Sequence, residues 1–460
     1  MPEGSSDAGS LHWPPRDEPV SAMTPRETPL RPWQRPVPWL AQDVWPALMW
    51  RFDPLWAAAA GLWRRHLRHT TFVAITGSLG KTTAKNLTAA ALSTAGPTAH
   101  TYRNQNTPVR VLTTLLAVRR RHRFAVFEVS GARPGTVRRL GRVLRPHFAV
   151  VLNIRETHTA TFGDRAARAA EKALLVAALE PGGVAVLNAD DPLVAAMAKN
   201  AAGRVFTFGS SPDCDLTAVD VSARFPARLA FRAVFRDGAE QRVTTRLVGA
   251  HWLPSVLASL AVARLVGIDP AVAAGAIAEV EPFTGRMQPV RLPSGAVVLR
   301  DDYNAALDGS SAAFAVLAAT EARRRVVVLT DVSDTGGNRV SRLKLLAPRL
   351  ASVAEVVVVI GESAEYGRRR IIEAGKAPEA VHAFASLREA AVYLRGELRA
   401  GDVAMVKGRT TDHAARLVLS QLGHVACWRV YCPKRTLCDH CWRLGLSHDE
   451  LARAQAEPAP

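Results

Sequence analysis

The stretch Ile75-Thr76-Gly77-Ser78-Leu79-Gly80-Lys81-Thr82-Thr83 decides the reading of this chain. Before the loop runs TFVAITG, a compact β run; from Lys81 runs KTTAKNLTAAALSTAG, a helical segment ended by glycine. Glycines between a strand and a helix let backbone N–H groups approach an anion, and the helix N-terminus favours negative charge. In such a loop Lys81 holds the β- and γ-phosphates of a nucleotide, and the Thr82 hydroxyl reaches Mg²⁺. The full Walker pattern would put a glycine where this chain has Ile75, so the loop is the shorter G-x-x-G-K-T-T form. Gly77, Ser78, Leu79, Gly80, Lys81, Thr82 and Thr83 are its expected phosphate contacts.

Outward from the loop, residues 71–208 alternate β runs (FAVFEVSG, FAVVLNI, GVAVLNAD) with helical runs such as AARAAEKALLVAAL. That rhythm predicts a largely parallel sheet with helices on both faces. Within 209–247, LTAVDVSAR, ARLAFRAVF and QRVTTRLV alternate apolar and polar residues, the pattern of an antiparallel sheet. A helical pair at about 251–281 follows, then a second βα alternation from RRRVVVLTD to about 425. The chain is therefore expected to be α/β. A central parallel-sheet P-loop ATPase domain (71–288) precedes a C-terminal Rossmann-like domain (289–425) and a small Cys-rich tail (426–460). Ahead of them stand a Pro-rich, disordered segment (1–43) and a helical lead-in (44–70), whose Pro46 and Pro54 predict two short helices docked on the core.

The formal charge of +18 comes with Arg clusters at Arg64–Arg65, Arg119–Arg121, Arg138–Arg139 and Arg368–Arg370. They are scattered and no nucleic-acid motif accompanies them, so compositional bias plus a taste for anionic substrates explains them better than a nucleic-acid or membrane surface. No apolar run is long enough to span a bilayer and no signal peptide opens the chain, which predicts a cytoplasmic protein. In that compartment Cys427, Cys432, Cys438 and Cys441, spaced C-x4-C-x5-C-x2-C near His424 and His440, read as a structural zinc site rather than disulfides. An iron–sulfur cluster would use the same ligands.

The short loop resembles that of the Mur ligases and their relatives, and further segments follow the family order. TYRNQNTP (101–108) is similar to the Asn-rich loop of the D-alanyl-D-alanine-adding branch, with Asn104 and Asn106 as substrate contacts. Glu128 in FEVSGARPG falls where the family has a Mg²⁺-binding glutamate, and His158 in VVLNIRETHTATFG where it has a metal-site histidine. Lys172 in AAEKALLV occupies the place of an N-carbamoylated lysine. Gly285-Arg286-Met287, Asp301-Asp302-Tyr303-Asn304 and Lys407-Gly408 resemble C-terminal signatures, implying nucleotide contacts from Arg286 and Asp302 and substrate contacts from Asn304 and Lys407.

The resemblance implies an ATP-dependent ligase that joins a carboxylate to an amine through an acyl phosphate. Lys81, Glu128, His158 and Lys172 would be catalytic, with Mg²⁺ on Thr82, Glu128, His158 and the Lys172 carbamate. Hard oxygen ligands suit that ion, whereas a bare Lys172 ammonium would repel it. The donor is expected to be a peptide, an amino-acid polymer or a cell-wall precursor.

Departures bear on this reading. The family's N-terminal domain for a uridine-diphosphate sugar is expected to be missing. Trp252 and Ser255 replace both asparagines of the adenine-side motif, and the acceptor-side "YNANP" has become Tyr303-Asn304-Ala305-Ala306-Leu307. Two other readings follow: an amidating subunit partnered with a glutaminase, and a non-catalytic, nucleotide-gated binding module.

Overall fold

The protein was examined as a computed structural model, which describes residues 53–131, 133–155, 164–305, 307–330, 339–430, 432 and 437–445. His158 lies outside the described residues, as do the whole Pro-rich segment 1–43 and Pro46 of the lead-in.

Two sheets carry the fold. In chain order the strands of the first are β1 (Thr71–Thr76), β2 (Thr98–His100), β3 (Phe124–Glu128), β4 (Phe148–Val151), β5 (Val184–Asn188), β6 (Arg204–Gly209), β7 (Leu216–Ser222), β8 (Ala230–Phe235) and β9 (Glu240–Thr244). Their spatial order is β2-β3-β1-β4-β5-β6-β7-β8-β9. Pairing is parallel from β2 to β7 and antiparallel from β7 to β9. The central strands β1, β3 and β4 are almost entirely buried, which is why they read as unbroken Val, Ile, Phe and Ala runs. β8, with one face solvated, alternates instead, whereas β7 is buried in its first three residues and exposed in its last three.

The second sheet comprises β10 (Gln288–Arg291), β11 (Val297–Asp301), β12 (Arg324–Leu329), β13 (Val356–Ile360), β14 (Val381–Phe384) and β15 (Asp402–Lys407), ordered β10-β11-β15-β12-β13-β14. All pairs are parallel except β10–β11.

The Lys81–Ser93 helix packs on the Leu253–Leu265 helix through Ser and Thr hydroxyls: Thr88 meets Ser259 at 3.0 Å, and Ser259 donates to Ala84 O at 3.2 Å. The lead-in forms one described helix, Asp53–His66, with Pro54 in its first turn, where a missing N–H costs nothing. It docks on the core: Trp63 Nε1 donates to Val118 O at 3.0 Å, and Ala60 and Leu67 are buried.

Candidate active site

The phosphate loop leaves the C-terminal end of β1. Gly77 and Gly80 have φ of 155° and 83°, the latter in the left-handed region that favours glycine. The end of β4 holds the loop open: Asn153 Oδ1 accepts from Leu79 N at 2.8 Å, Asn153 O accepts from Ser78 N at 2.9 Å, and Asn153 Nδ2 donates to Leu79 O at 3.2 Å. Sequence reading quoted this asparagine in its segment without giving it a role; a side chain that satisfies two backbone groups of a distant loop is a tertiary fact.

Lys81 Nζ folds back onto the loop, donating to Gly77 O at 2.8 Å and Ser78 O at 3.1 Å. Burial lowers its pKa, opposed by Glu128 and assisted by Arg286. Glu128, at the end of β3, is 2 % exposed. Its Oε2 accepts from the Thr82 hydroxyl at 2.8 Å and its Oε1 from Asn106 Nδ2 at 2.7 Å. The geometry thus gathers Lys81, Thr82, Glu128 and Asn106 around one carboxylate. Glutamate and threonine oxygens at the lip of a phosphate loop are the donor set that Mg²⁺ prefers.

Lys172, on the Arg165–Val176 helix, is buried at 6 % exposure beside this group. A Cβ built on Gly131 would lie 3.7 Å from its Nζ, and no described residue accepts a hydrogen bond from it. Burial first, then the charge of Lys81, pulls its pKa from 10.5 to about 7. Its neighbour Glu171 caps the start of the Thr136–Leu144 helix, accepting from Gly135 N at 2.9 Å and Val137 N at 2.8 Å.

Lys85 escaped the sequence reading. It is fully buried and donates to Thr101 O at 2.7 Å and Arg103 O at 2.6 Å, pinning the Asn-rich loop from beneath. Desolvation pulls its pKa down to about 8. On that loop Asn104 hydrogen-bonds the Tyr303 hydroxyl from the second-sheet region.

Arg286 stacks over the Tyr303 ring at 4.8 Å, and its buried Nε has no acceptor among the described residues. With Lys81 it presents two cations to one spot, which fits a polyphosphate. Asp302 is engaged otherwise: Arg300 donates to it at 3.1 and 3.3 Å and to Asp439 at 2.6 and 3.0 Å. Lys407 is likewise spent, donating to Asp301 Oδ2 at 2.5 Å and to Asn304 O at 2.7 Å, while the Asn304 residue is exposed.

At the altered adenine-side positions, Ser255 Oγ donates to Gly80 O at 3.2 Å, so it braces the loop. Trp252 is buried against His251 with ring centroids 4.5 Å apart, and its Nε1 has no acceptor among the described residues.

The expected zinc tetrad finds no support among the described residues. Among the described residues no three His, Cys, Asp or Glu side chains form a metal-binding group. Cys438 Sγ meets His413 Nδ1 at 3.4 Å, and burial pushes its pKa up to about 12. What anchors the tail is Arg300 on Asp439, together with Arg416, whose Nη1 donates to Cys427 O and Arg429 O, both at 3.0 Å.

A short glycine-bearing phosphate loop with a buried carboxylate beside it, followed by a second, mostly parallel sheet, defines a P-loop nucleotide-dependent enzyme of two α/β domains. Residues 75–263 match the Mur ligase middle domain and residues 285–410 the Mur ligase glutamate ligase domain. The chain is 34 % identical over 357 residues to the UDP-N-acetylmuramoyl-tripeptide–D-alanyl-D-alanine ligase of Mycobacterium tuberculosis strain CDC 1551, covering 73 % of this chain and 70 % of that protein. It is 29 % identical to the Escherichia coli K12 protein of the same name, covering 69 % and 68 %. The fold matches crystal structures of MurF from Acinetobacter baumannii (TM-score 0.73, 23 % identity, 80 % of each chain) and of MurF from Thermotoga maritima in complex with ADP (TM-score 0.69, 22 % identity, 80 % and 82 %). The chain belongs to the Mur ligase family and is an ATP-dependent, ADP-forming carbon–nitrogen ligase.

Proposed function

We propose that the protein joins the terminal carboxylate of a peptide-bearing cell-wall precursor to the amine of an amino acid or dipeptide, by way of an acyl phosphate. The observation that carries this reading is the buried Lys81–Thr82–Glu128 group at the lip of the loop, with Arg286 opposite. A carboxylate is a poor electrophile until one oxygen carries the phosphoryl group as a mixed anhydride, from which the amine displaces phosphate; the protein's part is to position the γ-phosphoryl group and neutralise its charge. Lys81 swings from its loop carbonyls to the β- and γ-phosphates, and Arg286 supplies the second cation. Thr82, Glu128, a carbamate on Lys172 and His158 would hold Mg²⁺, which would supply charge neutralisation for the phosphates. Trp252 Nε1, which has no acceptor among the described residues, is offered to an adenine nitrogen. The Asn104–Tyr303 bond ties the Asn-rich loop to the second sheet, a route for closing both over substrate.

The relatives' names carry a dipeptide amine, so ammonia from a glutaminase is not favoured; the retained lysine, threonine and glutamate speak against a non-catalytic module. The test incubates the protein with ATP, UDP-N-acetylmuramoyl-tripeptide and D-alanyl-D-alanine, then with a metabolite extract. A condensation product formed in step with ADP supports the reading; ADP release with no new amide in either mixture overturns it.

A further inference from the structure

A groove of about 760 Å³ runs beside the Asp53–His66 helix, lined by Leu62, Arg65, Arg68, Arg142 and Arg145 among others. Two neighbouring cations are structural. Arg64 donates to Leu144 O at 2.7 Å and Arg145 O at 2.8 Å, and both Arg64 and Arg145 pair with Glu180, the groove's single carboxylate. Arg65, Arg68 and Arg142 are exposed and have no partner among the described residues. Positive charge is therefore left over in this groove. On the same helix Leu55 and Leu62 are 68 % and 58 % exposed. Seven residues apart, they share one helix face, and Leu62 forms part of the groove wall.

The groove sits at the opposite end of the sheet from the phosphate loop. Leu144 to His147 lie just before β4 begins at Phe148, at the N-terminal ends of the parallel strands, whereas the loop follows the C-terminal end of β1. A strand of this length separates the two by about 20 Å.

We propose that this face docks the protein peripherally on an anionic phospholipid surface. Arg65, Arg68 and Arg142 take lipid phosphates, and Leu55 and Leu62 enter the boundary between headgroups and acyl chains. Exposed leucines on one helix face beside exposed guanidiniums are what such a surface rewards. A nucleic acid would reward exposed aromatic rings, and the helix turns Trp56 and Trp63 toward the core. Docked this way, the phosphate loop faces away from the lipid and stays open to solvent.

The test is flotation of the full-length protein with vesicles of phosphatidylglycerol and phosphatidylcholine, and with phosphatidylcholine alone. Binding to the anionic vesicles only, weakening with salt, is expected. The triple variant Arg65→Gln, Arg68→Gln, Arg142→Gln should lose roughly a hundredfold in affinity at low salt. The pair Leu55→Ser, Leu62→Ser should lose roughly tenfold and keep its salt dependence. Both variants should keep the parent's ATP turnover and circular-dichroism melt. Unchanged vesicle binding by either folded variant overturns the proposal. So does full displacement of the protein from vesicles by single-stranded RNA, which would make the groove a general polyanion site.

Discussion

Replacing Lys172 by methionine tests the metal site where it departs furthest from ordinary side-chain chemistry. The lysine was expected on a helix beside the metal group, and the structure buries it there next to Lys81. An ammonium at that spot opposes both Lys81 and any divalent cation. Its pKa of about 7, down from 10.5, leaves about half the amines neutral at pH 7, against roughly one in three thousand for an ordinary lysine. The form that reacts with CO₂ is thereby enriched roughly a thousandfold. Carbamate formation consumes the neutral amine and releases a proton, so occupancy rises as pH rises through about 7 and falls below it; ligase activity should follow the same limb. Methionine keeps the buried stem and removes the nitrogen. Losing one ligand of the charge-neutralising group should cost at least about a hundredfold in turnover. With ¹³C-bicarbonate, the parent should show a carbamate carbon resonance that the variant lacks, and short carboxylic acids should partly restore a Lys172→Ala variant. A methionine variant that turns over like the parent would refute the reasoning, because it would make Lys172 a packing residue.

Lys81→Ala should slow ATP turnover by roughly a hundredfold or more in a steady-state ADP assay, since one charge contact to the transferring phosphoryl group is lost. Asn153→Ala should raise the KM for ATP several-fold and cost about 1–2 kcal/mol in urea unfolding, because Leu79 N and Leu79 O lose their partner. Trp252→Phe, which keeps the stack on His251 but not the indole N–H, should raise the KM for ATP by roughly three- to tenfold at unchanged kcat. Arg300→Met should destabilise the protein by about 3–5 kcal/mol, because Asp302 is left buried and unpaired; Asp439→Asn, which leaves the Asp302 pair intact, should cost less, and equal losses would count against this ordering.

The loop was legible because a local pattern carries it, a glycine-rich turn between a strand and a helix; Glu128 and Lys172 came from the family resemblance, and both are buried. Sheet type was legible for the same reason, as unbroken apolar runs gave parallel strands and alternation gave β7–β9. What was not legible is tertiary. Lys85 looks like a solvated lysine until the Thr101–Arg103 backbone arrives to accept from it. β2 has three residues, too few for any period, and β11 hides between a turn and a family motif. Four clustered cysteines suggested metal, but the spacing alone could not show that Arg300 and Arg416 hold the tail.

The most direct test of the acyl-phosphate route follows an oxygen atom. The donor peptide is labelled with ¹⁸O in its terminal carboxylate, incubated with the enzyme, ATP and the amine, and the released phosphate is weighed by mass spectrometry. The account predicts one ¹⁸O in the phosphate for each amide formed, since the carboxylate oxygen that attacks the γ-phosphorus leaves with it. Amide formation with unlabelled phosphate, or with the label in AMP, would contradict it.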